Sequence, residues 1–318
     1  MRFLELVLLH PLPDSAECAR FPALRRFLSR SRTSVALDSH EAVLLELFGV
    51  PRQRDWPIAP FSRLGDGEAP DDAYWIAADP VHLRADRDAL LLVDASRFQL
   101  DLEDARTLVE ALNRHFGPEE LHFSAPTATH WYARVAQAAD IETIPLRRAV
   151  GYNVDTLLPR GKDALAWHRT FNEVQMLLYN HPLNHAREAR GELPINSVWF
   201  WGGGTLPRNV NGRWLHVWAN DALSRGLALA ARIDVSEVPR TLAACIDAAR
   251  DGAQLAVLDQ VDFAALETDW IAPALQALRA QSLGALSLWI HLGTEFRRFD
   301  LARSDLWKFW RDWSGAAA

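Results

Sequence analysis

The chain has 318 residues, 49% hydrophobic and 24% charged, with a net charge of −7, enough for one large core or two smaller ones. That acidic balance, with no long basic run, excludes nucleic-acid binding through phosphate neutralisation. Two cysteines, Cys18 and Cys245, without a CxxC or Cys/His cluster, exclude a structural zinc site and point to a reducing compartment.

The opening MRFLELVLLHPLP is too short for a membrane span and lacks a small-residue cleavage site. It reads as a strand over 2–9 buried on both faces, in a cytoplasmic protein with no membrane partner. A helix is predicted over 15–31, with Ser15 as cap and Phe21, Leu24, Phe27 and Leu28 at helical spacing. Arg20, Arg25, Arg26, Arg30 and Arg32 read as its solvated face. Residues 39–49 form a second helix, capped by Ser39 and closed by Gly49. Residues 51–72 hold four prolines and two glycines and read as a loop.

Strands over 74–83 and 89–93, joined by RADRD (84–88), read as a hairpin. A helix over 101–115 is capped by Asp101, a strand covers 120–124, and a helical pattern over 162–190 breaks near Pro182. Strands then alternate with helices: strands at 195–201, 213–218, 253–258 and 284–292, helices at 220–232, 236–251 and 262–282. This alternation predicts an α/β protein with a mostly parallel sheet, helices on both faces, and a smaller α+β domain inserted into it. The expected division is 1–70 with 191–318 as the core and 71–190 as the insert. Thirteen tryptophans stand against four tyrosines, and they read as core packing. A short aromatic helix over 304–313 would dock Leu306, Trp307 and Trp310 onto the core.

The run VWFWGGG (198–204) raises the question of an anion site, because glycines after a strand let backbone N–H groups approach a phosphate. No GK[ST] follows and no GxGxxG is present, so neither nucleotide-loop pattern applies. Two readings stay open. One is a tight turn needing positive φ. The other is a pocket between the two domains lined by Arg84, Asn184, Arg187, Asn196, Gly202, Gly203 and Gly204, with arginine gripping a phosphorylated or carboxylate small molecule.

The stretch HPLNHAREARGELPINSVWFWGGGTLP (181–207) resembles a segment of the archaeal-type, cofactor-independent phosphoglycerate mutases, in the alkaline phosphatase superfamily. The matching positions are His181, Pro182, Asn184, Arg187, Gly191, Asn196, Gly202, Gly204 and Pro207. SHEAVLLELFGV (39–50) with APFSRLGDG (59–67), and then the run from His82 to Leu112, resemble two further mutase stretches in the family's order. The chain is also similar to the bacterial group of RpfE-type regulatory proteins. The resemblance implies an alkaline-phosphatase-like core and a two-metal enzyme with a serine nucleophile, whose position falls on Ser39 or, one residue shifted, on His40.

The family's metal motifs are not intact. His10 stands where the first strand should end in aspartate, Ile290 replaces the aspartate expected before His291, and Asp259 and Asp262 have no histidine after them. The leading expectation is therefore a catalytically degenerate mutase relative without a cofactor, regulatory in role, binding an anionic metabolite or a protein partner. An alternative is an active phosphoglycerate mutase or phosphatase with a rearranged Mn or Mg site drawing on His10, Asp14, Asp259 and His291. A third is an interaction protein whose cleft is filled by tryptophan.

Overall fold

The apolar FLELVLLHP forms strand β1 (Phe3–Pro11) of a computed structural model that describes residues 2–12, 15–87, 89–119, 121–248, 252–259 and 261–308. After it come α1 (Ser15–Cys18), α2 (Pro22–Arg30), β2 (Arg32–Leu37) and α3 (His40–Leu47). The helix expected over 15–31 is therefore two. Pro22 opens α2, a position where its missing N–H costs nothing. The carboxylate of Glu267 caps the new start, accepting from Ala23 N at 2.6 Å and Leu24 N at 2.8 Å. Arg20, Arg25, Arg26 and Arg32 are exposed, as a solvated face requires, but Arg30 is partly buried and donates from Nη1 to Leu306 O.

The proline-rich stretch read as a loop contains α4 (Ile58–Gly65). Pro57 and Pro60 fall at its N-cap and first turn, where backbone donors have no helical partner to lose. Then follow β3 (Tyr74–Asp86), β4 (Ala89–Val93), α5 (Leu102–Phe116), β5 (Leu121–Ser124), β6 (Tyr132–Val135), β7 (Ile141–Glu142), α6 (Leu146–Ala149), β8 (Arg160–Gly161), α7 (Ala164–Tyr179), α8 (Pro182–Ala189) and β9 (Ser197–Gly204). The last third holds β10 (His216–Trp218), α9 (Ala222–Ala230), β11 (Asp234–Ser236), α10 (Leu242–Ala248), β12 (Ala253–Leu258), α11 (Phe263–Ala265), α12 (Ala272–Arg279), β13 (Ala285–His291) and β14 (Phe296–Ala302).

The chain divides into two compact units, Met1–Val50 with Asn209–Ala318, and Pro51–Arg208. Residues 51–70 and 191–208 thus sort with the insert rather than the core. The reason is local: α4 packs on β3 and β9, and β9 pairs antiparallel with β3 from Val81↔Ser197 to Trp75↔Gly204.

The first unit is a seven-stranded sheet in the order β11-β10-β12-β1-β13-β14-β2. Strands β11, β10, β12, β1 and β13 run parallel, and β14 is antiparallel to both neighbours. One face of β1 buries Leu4, Leu6 and Leu8 against Leu24 and Phe27 of α2 and Leu275 and Leu278 of α12. The alternate position Glu5 is wholly buried. Its carboxylate accepts from Trp289 Nε1 at 2.9 Å, pairs with Arg213, and has Arg298 Nε at 3.7 Å.

The second unit is an antiparallel sheet, β4-β3-β6-β5 with β9 also on β3. Its core contains Trp131, Trp199, Leu108, Leu112, Phe116, Val174 and Leu178. Phe171 meets Trp199 edge-on at 6.1 Å and Trp167 meets Phe200 at 5.0 Å, geometries that aromatic pairs prefer. Most of the tryptophans described are core residues. Trp307 is not: it is 75% exposed, because residues Arg303–Trp307 form a short 3-10 turn that buries Asp305 instead. Trp310 lies outside the described residues.

Candidate functional site

Parallel strands deliver their carboxyl ends to one edge of a sheet, where ligands of α/β proteins commonly bind. In the first unit that edge collects the ends of β10, β12, β1 and β13. It also receives the end of β2, which is antiparallel to β14 and so runs with β13. The topology thereby gathers Asp221, Asp259, His291 and the Ser39-His40 pair, with the backbone of His10 near the end of β1. Asp14 lies outside the described residues.

Ser39 has extended backbone and caps α3, its Oγ accepting from Ala42 N at 3.1 Å. His40 faces Glu41, with Nδ1 3.3 Å from Oε2. Phe296 lies between two imidazoles, its ring centroid 6.3 Å from that of His40 and 5.0 Å from that of His291. Asp221, which no sequence motif singled out, caps α9 through Ser224 N at 2.8 Å. Its other oxygen, Oδ2, is buried, and the Ser224 side chain is near enough to favour the charged form. Burial raises this carboxyl above the ordinary range; the Ser224 N–H and His40 oppose the shift and Asp259 reinforces it. The readable signal was an Asp immediately before a helix that follows a strand, in WANDALS (218–224).

A two-ion centre needs several converging carboxylates and imidazoles. Among the described residues, no three His, Cys, Asp or Glu side chains stand close enough together to hold one ion. The His10 side chain and Asp14, two of the four candidate ligands, lie outside the described residues.

The second group of expected ligand residues lies wholly in the second unit, and its polar atoms are occupied by the fold. Asn184 is buried, with Nδ2 donating to Leu178 O and Ile195 O and Oδ1 accepting from Ile195 N. Asn196 closes a two-way bond with the backbone of Leu83. Buried Arg187 donates from Nε to Leu193 O and from Nη2 to Gln99 O, with Glu192 at 3.4 Å and Asp104 at 3.7 Å. Arg84 is exposed in the β3–β4 ladder opposite Leu91.

The glycines answer the question of the anion loop. A Cβ on Gly202 would stand 2.7 Å from Ile58 Cβ, one on Gly203 would strike the Tyr74 hydroxyl, and one on Gly204 would meet Pro57. Gly202 also has φ +65° and donates its N–H to Thr143 Oγ1 at 2.9 Å. Gly202 and Gly204 let β9 lie against the start of α4, Gly203 makes room for Tyr74 of β3, and all three continue the strand rather than form a loop. Strand β9 pairs with β3 and is not part of the seven-stranded sheet.

A separate titratable cluster sits in the second unit. Asp79 is buried and accepts from Trp201 Nε1 at 2.7 Å and Trp131 N at 3.2 Å. Nearby, Asp66 accepts from the Tyr132 hydroxyl at 2.6 Å and faces His130 Nδ1 at 3.0 Å. Burial pushes Asp79 up to about 6, against the pull of His130 and the two tryptophan N–H groups. The native state therefore keeps this proton to higher pH than the unfolded chain, whose carboxyl titrates near 3.8. Its stabilising effect is complete below that value and is lost as pH rises through about 6. The lost part is roughly 3 kcal/mol at about 1.4 kcal/mol per pKa unit. Urea unfolding across pH 4 to 7 should show this fall in the native protein relative to Asp79→Asn; identical pH profiles would contradict it.

No family model matches the sequence. The chain is 28% identical over 193 residues to the 2,3-bisphosphoglycerate-independent phosphoglycerate mutase of Methanosarcina barkeri, covering 57% of this chain and 48% of that protein. It is 26% identical over 241 residues to the enzyme of the same name from Methanosarcina acetivorans, covering 70% and 59%. The chain thus spans about half to three-fifths of the length of the curated relatives it matches. A solved protein of Pyrococcus horikoshii shares the fold, with a TM-score of 0.57 at 12% identity over 95% of this chain and 87% of that one. The chain is a homologue, at low identity, of the cofactor-independent phosphoglycerate mutases, with an α/β fold on a mixed, mostly parallel sheet. No helix among the described residues is long and apolar enough to cross a membrane.

Proposed function

We propose that this chain is a catalytically silent relative of the phosphoglycerate mutases that acts by binding, in a regulatory role. One observation carries the reading. The carboxyl edge keeps a serine at the start of a helix and several polar groups around it, yet no three described metal-binding side chains converge there. Fold likeness alone does not transfer activity. The ligand is an anionic metabolite held at the start of α3 by Ser39, His40 and the positive end of the helix, or a protein partner covering the same edge. A cytoplasmic location agrees with Cys18 and Cys245, which are buried thiols that form no disulfide. The test is turnover of phosphoglycerate in added Mn²⁺ or Mg²⁺, with Ser39→Ala as control. The reading requires no turnover above that control; turnover that Ser39→Ala abolishes would overturn it.

A second reading, an active enzyme with a rearranged site, is favoured by Asp221. Its carboxyl is buried, with the Ser224 side chain, His40 and Asp259 within electrostatic reach. Under that reading Asp221→Asn abolishes activity; under the first it changes only stability and ligand affinity.

A further inference from the structure

Helix α7 carries two stripes. Trp167, Phe171, Val174 and Leu178 are buried and bind the helix to its own unit. Offset from them, Leu165, Arg169, Asn172, Met176 and Tyr179 recur at steps of four, three, four and three, the spacing of a coiled-coil seam. All five are exposed, and the apolar ones strongly so: Leu165 by 64%, Met176 by 68% and Tyr179 by 68%. Three large apolar side chains on one outward stripe of one helix mark a contact surface rather than scattered surface residues.

We propose that this stripe is a self-association surface, on which α7 pairs antiparallel with α7 of a second copy of the chain. Charge decides both the occupant and the direction. A parallel pairing in register would set Arg169 against Arg169. An antiparallel pairing about a two-fold axis sets Leu165 of each copy on Met176 of the other, at both ends of the seam. It brings Arg169 beside Asn172 and Glu173 of the second copy, and Tyr179 beside Lys162. The stripe is thus its own complement, which an isologous two-fold contact requires. Glu173 is half-exposed beside His115 at 3.3 Å, so it can share its charge with a second partner. The seam is about 21 Å long at 1.5 Å per residue. One helix pair of that length lies at the small end of specific interfaces, so the dimer dissociates on dilution.

Sedimentation velocity on the full chain over a dilution series reads this directly. The expected result is a monomer–dimer equilibrium that Met176→Glu weakens by about tenfold or more, with unchanged circular dichroism. Direction is read by cysteine pairing, since Cys18 and Cys245 are buried. Leu165→Cys protein mixed with Met176→Cys protein should cross-link on mild oxidation, and neither variant alone should. A monomer at every concentration overturns the proposal, as does a dimer indifferent to Met176→Glu. Cross-linking within a single variant overturns the antiparallel arrangement.

Discussion

Replacing Glu5 by alanine is expected to cost about 3–5 kcal/mol, the range for removing one partner of a buried charge cluster. Glu5 sits in the middle of β1 with no exposed surface, between Leu255 of β12 and Ser287 of β13. Its carboxylate is the acceptor shared by Trp289 Nε1 and Arg213, with Arg298 close by. Alanine leaves a buried indole N–H without a partner and takes the carboxylate from Arg213, while Arg298 keeps Asp300. It also leaves a cavity beside the central strand. Glu5→Gln keeps an acceptor for the indole and should cost less. Urea unfolding of the three proteins checks the order. Equal stability of Glu5→Ala and the native chain would show that the cluster does not support the sheet.

Arg187→Met is expected to cost a similar amount, about 3 kcal/mol or more, and to do so without affecting any ligand. The substitution keeps the apolar stem and removes the guanidinium. Gln99 O and Leu193 O then lose their donor, and Asp104 loses its cation. Glu192 is half-exposed and contributes little. The outcome bears on function because Arg187 belongs to the stretch most similar to the mutases. If its role is to fasten α8 to the loop before β9, unfolding moves and binding at the carboxyl edge does not. An unchanged unfolding midpoint would return Arg187 to the list of ligand residues.

The elements with strong local signals were legible from residues alone. The Leu and Val run of β1, the hairpin of β3 and β4, the Asp101 cap of α5 and the strand–helix alternation of the last third all come from side-chain periodicity and capping. The missed elements have signals that depend on distant partners. Strand β2 reads as polar RTSVAL because it is the sheet's edge, and its pairing with β14 is fixed only by the fold. Helix α4 hides behind prolines that are tolerated at its start, and its apolar face is completed by β9. The resemblance rests on stretches whose polar side chains are engaged within the second unit. Asn184, Arg187 and Asn196 look like ligand residues in sequence, yet each spends its polar atoms on backbone groups that no periodicity reveals. Asp221 was missed because the helix expected over 220–232 runs through it, and only the sheet edge places it near His40 and Asp259.

The most direct test of the central claim is the divalent metal content of the purified full chain after equilibration with Mn²⁺ and removal of excess ion, measured together with phosphoglycerate turnover. The donor set at the carboxyl edge predicts well under one equivalent of metal and no turnover above Ser39→Ala. Retention of two equivalents, with turnover lost in Ser39→Ala and Asp221→Asn, would contradict it and make the chain a working enzyme with a rearranged metal centre.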